Sequence, residues 1–561
     1  MDVPPERRAK LEALREAGCD PFPPGSGLLD QRLPLSQALA EHDPDAEPRA
    51  AFGVAGRVMA LRDHGNSLFL DVRDATGRLQ LYLRKKDLGE EAFKLLKQNL
   101  DLGDFVAAHG ELGRTRLGEA TLFVSAAELL SKSLAVPPSE WYGLSDVETR
   151  YRQRYVDLVA NPQSFARFAE RSRLLSALRR ALEERGFMEV ETPMLHGIAG
   201  GAAARPFTTH HNTLDMDLFL RIAPELHLKR LLVGGYERVF EIGRNFRNEG
   251  LSPRHNPEFT MLEAYWAYAR MDDWVDATEA ILAELVATRP QPPEPEAGED
   301  AGDDASAAAG DGAASGDMPE NATDTPPAKP WNPETLQWGG HELSFARPFA
   351  RATYAELLQE HAGANVHDVE SVTSAARAAG LATEGLGQAK LIDELFGELV
   401  EPKLVQPTFV TDFPISMSPL AKARPEQPEV AERFELYIAG MEVANAFSEL
   451  NDPDEQLRRF EEQVASRDPE LPGEVDHDYV QALRCGMPPA AGIGIGVDRL
   501  TMLLTGAETI RDVILFPLLR RRAPSSAEAA QNESAPTDAA PAASGSGEGP
   551  AADATSSGRS E

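Results

Sequence analysis

Arg247, Glu249, Glu263 and Tyr265 fall in two runs, Phe240-Glu241-Ile242-Gly243-Arg244-Asn245-Phe246-Arg247-Asn248-Glu249 and Pro257-Glu258-Phe259-Thr260-Met261-Leu262-Glu263-Ala264-Tyr265. If both are strands, side chains alternate faces, so Glu241, Asn245, Arg247 and Glu249 point one way and Phe240, Ile242 and Phe246 the other. The same parity gathers Phe259, Met261, Glu263 and Tyr265, with the basic loop Ser252-Pro253-Arg254-His255-Asn256 between the runs. An arginine, carboxylates and aromatic rings then share one platform. Such a set suits a phosphate, an ammonium group and a flat base. An ordinary amphipathic hairpin has little reason to interleave Arg, Glu, Phe and Tyr on a solvated face.

These residues need elements to position them, and 561 residues are enough for several domains. The two cysteines, Cys19 and Cys485, sit in no CxxC or Cys/His cluster, so neither structural zinc nor a disulfide framework is expected. The N-terminus lacks a signal-peptide core and no run of about 18 apolar residues occurs, so a cytoplasmic protein without a membrane partner is expected. The formal net charge of −34 argues against a nucleic-acid partner until its distribution is read. Residues 290–330 hold a net −9 and residues 523–561 a net −5. Both stretches are rich in Ala, Gly, Pro and Ser and poor in large apolar residues. They are expected to be a disordered insert and a disordered tail.

Between about 51 and 135 the chain reads as five short strands, with the turn Asp74-Ala75-Thr76-Gly77 and one helix from Lys85 to Leu100 between the third and fourth. That layout predicts an OB-fold barrel, a frame that binds single-stranded nucleic acid by stacking bases on aromatics, or else a small structural barrel. Residues 1–50 read as a helical extension and 136–163 as a linker. From 164 to 522 a mixed α+β domain is expected, with strands in adjacent antiparallel hairpins. It opens with a long helix over Ser164–Arg185, a capping Gly186 and a short strand closed by Pro193.

Several ordered runs complete the pattern: Tyr151-Arg152-Gln153-Arg154-Tyr155, Gly200 to Phe207, Leu220-Arg221-Ile222-Ala223-Pro224-Glu225-Leu226, the paired runs above, Asn445 to Asn451, and Gly492-Ile493-Gly494-Ile495-Gly496-Val497-Asp498-Arg499. Together they resemble class II lysyl-tRNA synthetases, from about Arg7 to Phe516. The glycine run alone would say little, since it lacks the Lys-Ser/Thr of a P-loop. The resemblance implies an OB-fold anticodon-binding domain ahead of an antiparallel catalytic sheet flanked by helices. It implies ATP, L-lysine and lysine tRNA as partners, Mg2+ as cofactor, a homodimer built on the 164–193 segment, and a lysyl-adenylate intermediate.

Residue by residue, the resemblance puts Arg247 at the α-phosphate and the lysine carboxylate, where it neutralises developing charge. Phe259 becomes the adenine platform, and Arg499 stacks opposite and reaches the γ-phosphate. Glu249 and Asn256 fall at adenine, His255 at the terminal phosphates, and Gly496 beside the nucleotide. No general base is needed, because the attacking carboxylate is already ionised. Glu225 and the Gly201 carbonyl are implied at the α-ammonium and Asn445 at the carboxylate. Glu263, Tyr265 and Glu449, with Phe447 beside them, are implied at the ε-ammonium, since a lysine side chain needs an acidic pocket. Magnesium is implied at Glu435 and Glu442.

If Ala439-Gly440 is a two-residue turn, Tyr437 pairs with Glu442, and Glu435 shares that face. Strict alternation would then turn Asn445, Phe447 and Glu449 away from the pocket. A β-bulge between Glu442 and Asn445 is therefore predicted. In the barrel, Arg57, Phe69 and Gln80 match anticodon-reading positions, with Glu119 as a further candidate. The resemblance breaks at Asn66, where the family usually carries Lys, and one phosphate contact loses its cation. Two other readings stand beside a lysine–tRNA ligase. A lysine-activating enzyme that modifies a protein would lack the barrel, and a catalytically dead RNA-binding regulator would be expected to lose Arg247, Arg499 or a metal carboxylate.

Overall fold

The computed structural model describes residues 3–25, 27–30, 32–137, 144–290, 332–466, 468 and 470–520. The expected disordered insert and the tail from 523 lie outside them, apart from Pro290.

Strands Ala51–Asp63, Ser67–Arg73, Arg78–Arg84, Phe105–Arg114 and Ala120–Ser131 close into a barrel in the order first, second, third, fifth, fourth. The third and fifth run parallel. Alternation drives the closure: Leu68, Leu70 and Val72 point inward with Leu81, Leu83, Val106 and Val124, while Phe69 and Tyr82 stay outside. The single helix expected over 85–100 is two, Lys85–Leu88 and Glu90–Asn99, because Gly89 adopts φ +83° between them. The N-terminal extension is fastened to the barrel, with Arg7 donating to the carbonyls of Ser133 (2.8 Å), Ala135 (2.9 Å) and Leu102 (3.0 Å). The stretch read as a linker carries two helices, Val147–Arg152 and Arg154–Ala160. Arg154 is fully buried, paired with Asp157 at 2.6 Å and donating to the carbonyls of Leu515 and Arg511 at 3.0 Å.

The second domain is built on an eight-stranded sheet. Its order is Ala350–Thr353, Thr408–Thr411, Arg433–Ile438, Met441–Ser448, Ala490–Gly496, Glu258–Ala267, Arg238–Phe246 and Met188–Glu189. The centre is antiparallel as expected, but the outermost pair at each edge is parallel. Both parallel pairs join segments separated by long connections that contain helices, the crossover that parallel pairing requires. The expected strand over 187–193 shrinks to Met188–Glu189 at one edge. Helices Pro162–Glu183, Met271–Ala287 and Val497–Thr505 bury one face of the sheet through Leu174, Leu178, Trp274, Ile281, Leu500 and Leu503.

The other face carries the polar side chains. One rung of paired residues crosses five strands as Glu435, Asn445, Gly494, Glu263 and Glu241, and its neighbour as Arg433, Phe447, Gly492, Tyr265 and Val239. In the last hairpin Ala439 (φ +54°) and Gly440 (φ +67°) form the two-residue turn, and Tyr437 pairs with Glu442. The next pair is Leu436 with Ala444, so Val443 has no partner on the neighbouring strand. This is the predicted bulge, and it puts Glu442, Asn445 and Phe447 along one cavity.

Candidate active site

Two cavities meet on the polar face. The larger, about 1200 Å³, is lined by Gly201, Glu225, Arg247, Glu263, Tyr265, Arg433, Glu435, Glu442, Asn445 and Phe447 among others. The smaller, about 200 Å³, is lined by Arg247, Glu249, His255, Asn256, Phe259, Gly496 and Arg499. Arg247, Met261, Glu442 and Gly494 border both. The Arg247 guanidinium lies over the Phe259 ring, 5.2 Å from its centroid, at the junction.

In the smaller cavity Arg499 donates to the Glu442 carbonyl (2.7 Å) and to His255 Nε2 (3.0 Å). Burial and then the Arg499 charge pull the His255 pKa down, so its ring is neutral. Arginine can only donate, so Nε2 is the acceptor, and Nδ1–H is left to donate to Ser252 Oγ at 2.8 Å. Behind Phe259, Asp498 accepts from the Thr260 amide (2.7 Å) and pairs with Arg171 of the long helix (2.6 Å). That contact ties the Arg499 turn to the Phe259 strand. Asn256 is buried and donates to the Glu258 carbonyl at 2.6 Å.

The larger cavity gathers acid. Glu225 and Glu263 are buried in its wall, and Glu449 is buried beside it without lining it. Glu263 accepts from the Tyr265 hydroxyl at 3.1 Å, and burial followed by the charge of Glu225 pushes its pKa up to about 8. Tyr265 and Glu449 crowd Gly492 so closely that a Cβ there would overlap both side chains. At this position the glycine run serves close packing. Glu449 itself is turned into an ion pair with Lys229, which also pairs with Glu225 at 2.5 Å. The geometry thus holds Glu449 against a protein cation and leaves Glu225 and Glu263 as the two of these three carboxylates that face the cavity.

Glu435 and Glu442 converge on the larger cavity. Glu435 is buried, held by Arg433 and by the Tyr437 hydroxyl (2.6 Å), and burial raises its pKa. Arg433 Nε also donates to Asn445 Oδ1 (3.2 Å), which leaves the amide nitrogen of Asn445 free to donate to a carboxylate. Glu241, expected on the ligand platform, is consumed by Arg221 (2.5 Å) and Thr192 Oγ (2.7 Å).

On the barrel, Phe69 stacks on Tyr82 with centroids 4.3 Å apart, and Tyr82 meets Phe123 edge-on at 5.7 Å. Gln80 lies on the same side of its strand as Tyr82 but is buried, its amide spanning Glu119 (2.7 Å) and Thr121 (2.8 Å) within the protein. Arg57 is engaged away from the Phe69, Tyr82 and Phe123 rings. Its guanidinium donates to the Gly103 carbonyl (2.9 Å) and lies over Phe105 at 4.2 Å. The cation paired across from Phe69 is Arg62, held by Asp71 at 2.9 Å.

Residues 146–520 match the model of class II tRNA synthetases (D, K and N), and 53–130 that of the OB-fold nucleic acid binding domain. The chain is 46% identical over 522 residues to the lysine–tRNA ligase of Magnetococcus marinus, covering 92% of this chain and 96% of that one. It is 45% identical over 525 residues to that of Moorella thermoacetica and 44% over 524 to that of Pelotomaculum thermopropionicum, covering 98% and 94% of those chains. The chain belongs to the lysine–tRNA ligase family.

For a lysine–tRNA ligase the sequence missed three neighbours of the expected residues. Lys229 follows Glu225 by four positions, the spacing at which helical side chains meet. Arg433 precedes Glu435 by two on one strand and so shares its face. Arg62 is visible only once the register with Phe69 is known. Among the described residues no helix is long and apolar enough to cross a membrane.

Proposed function

We propose that this protein joins L-lysine to the 3′ end of lysine tRNA, first forming lysyl-adenylate from lysine and ATP. The observation that carries the reading is Arg247 at the seam between an acidic cavity and an aromatic, basic one. A lysine in the first cavity with its carboxylate at Arg247, and ATP in the second with its α-phosphate there, would put nucleophile and electrophile beside one guanidinium. Phe259 would carry adenine with Glu249, Asn256 and Gly496 around it, and Arg499 with neutral His255 would take the outer phosphates. In the acidic cavity Glu263 and Tyr265 would hold the ε-ammonium, Gly201 and Glu225 the α-ammonium, and Asn445 the carboxylate, with Phe447 along the stem. Glu449 would act from behind, through Lys229.

Glu435 and Glu442 fit an ATP-borne Mg2+. Among the described residues no set of three metal-ligating side chains is grouped, and magnesium commonly takes one or two carboxylates with phosphate oxygens and water completing its shell. When bound it would neutralise phosphate charge. A homodimer is supported by apolar side chains left exposed on and near the 164–193 segment, namely Phe165, Met188, Met194 and Leu195. A translation enzyme of this kind would work in the cytoplasm.

Lysine-dependent ATP–pyrophosphate exchange followed by charging of lysine tRNA tests the reading. Exchange driven by aspartate or asparagine instead would overturn it, and exchange without charging would favour a modifier of protein. The barrel role has its own test. Phe69→Ala should raise the KM for tRNA by about 10- to 100-fold through lost stacking, with exchange unchanged. An unaltered tRNA KM would remove Phe69 from the interface.

A further inference from the structure

Glu225, Glu263 and Glu449 are 6%, 6% and 1% exposed. Three carboxylates drawn out of water are costly unless cations compensate them. The fold supplies one in direct contact. Lys229 is fully buried, with its Nζ 2.5 Å from Glu225 Oε1 and in an ion pair with Glu449. Its ammonium lies 5.3 Å from the centroid of the Phe447 ring and 6.0 Å from that of Tyr265. Tyr479, also buried, faces it from the His477–Arg484 helix with its hydroxyl unpaired. Burial lowers the Lys229 pKa, but Glu225 and Glu449 outweigh burial and keep it charged. Glu263 is left with the Tyr265 hydroxyl as its hydrogen-bond partner.

Counted with all three glutamates ionised, the cluster carries minus three, and Lys229 brings it to minus two. L-Lysine brings two ammonium groups, and its carboxylate is met by Arg247. We propose that Lys229 is a resident counter-cation that sets the charge of the amino-acid pocket at minus two once its three glutamates are ionised, as they are around a bound diamino acid, so that a diamino acid closes the balance and an amino acid with an uncharged side chain does not. It acts through Glu225, which lines the cavity, and holds Glu449 behind it, without touching substrate. It is therefore a specificity-determining, positioning residue, and the proposal rests on the lysine–tRNA ligase reading above. A pocket built from the glutamates alone would hold one buried negative charge too many for its ligand.

The test uses three full-length proteins, the wild type, Lys229→Met and the double variant Lys229→Met/Glu449→Gln, each checked for folding by thermal unfolding. Methionine keeps much of the apolar stem and deletes the charge, and the second change returns the count to minus two. Lys229→Met should raise the lysine KM in ATP–pyrophosphate exchange by at least about 30-fold, since it strands one partner of a buried pair, while the ATP KM stays within about threefold. The double variant should recover at least about tenfold of that loss. Lysine and ATP KM values rising together, or a double variant no better than the single one, would overturn the proposal. If the single variant does not fold, the double variant decides. A folded protein with near-native lysine KM supports the idea, and a raised KM or a second failure to fold defeats it. Wild-type exchange that proved independent of lysine would instead defeat the underlying reading.

Discussion

Replacing Arg247 with Gln is expected to lower kcat for lysine-dependent ATP–pyrophosphate exchange by about 10²- to 10³-fold, the usual cost of removing one preorganised donor from a developing oxyanion. The reason is positional. Arg247 borders both cavities and lies over Phe259, so in the function proposed above its charge would serve the phosphate and the amino-acid carboxylate together. Gln keeps a donor but loses the fixed charge and the fork that can grip two oxygens. Binding of tRNA through the barrel should not change. A variant that altered only KM values, with kcat preserved, would mean that Arg247 grips the ground state and does no more in the transition state.

Glu263→Gln should raise the lysine KM by about 30-fold to several thousandfold, corresponding to about 2–5 kcal/mol for breaking a buried charge pair, with little change in the ATP KM. The pH dependence has a definite sign. Burial and Glu225 raise the Glu263 pKa to about 8, while Arg247 and Arg221 oppose them and Tyr265 donates to it. Below that pH the carboxyl of the empty pocket is protonated, and an incoming ammonium group must displace the proton. For the wild type, kcat/KM for lysine should therefore climb about tenfold per pH unit on the acid side and level off above about pH 8. The variant should lack this limb. Persistence of the limb in Glu263→Gln would assign it to another group.

Strand parity made much of this site legible. Phe259, Met261 and Glu263 share a face because their strand pairs in register with 238–246, and the bulge followed from the conflict between Glu442 and Asn445. Partnership was harder to read. Glu449 and Glu241 are the acids the sequence promised, yet Lys229 and Arg221 occupy them, and a motif does not say which cation reaches a carboxylate first. Arg57 and Arg62 lie on one strand, separated by an irregularity between Val58 and Ala60, and only the folded register shows that Arg62 stands beside Phe69. The parallel edges of the sheet were hidden for the same reason, since pairing between segments far apart in sequence leaves no local trace.

The unpaired Val443 is in effect half a period inserted into a two-residue repeat. Upstream of it the strand is in phase with the carboxylate of Glu442, and downstream with an amide and a ring at Asn445 and Phe447. Point substitution can change what each position displays but cannot bring the two stretches back into phase. Deleting Val443 would rotate one stretch out of the cavity whole, and only a compensating insertion in the same strand could restore it. A site assembled this way tolerates exchange of residues far better than a change in their number.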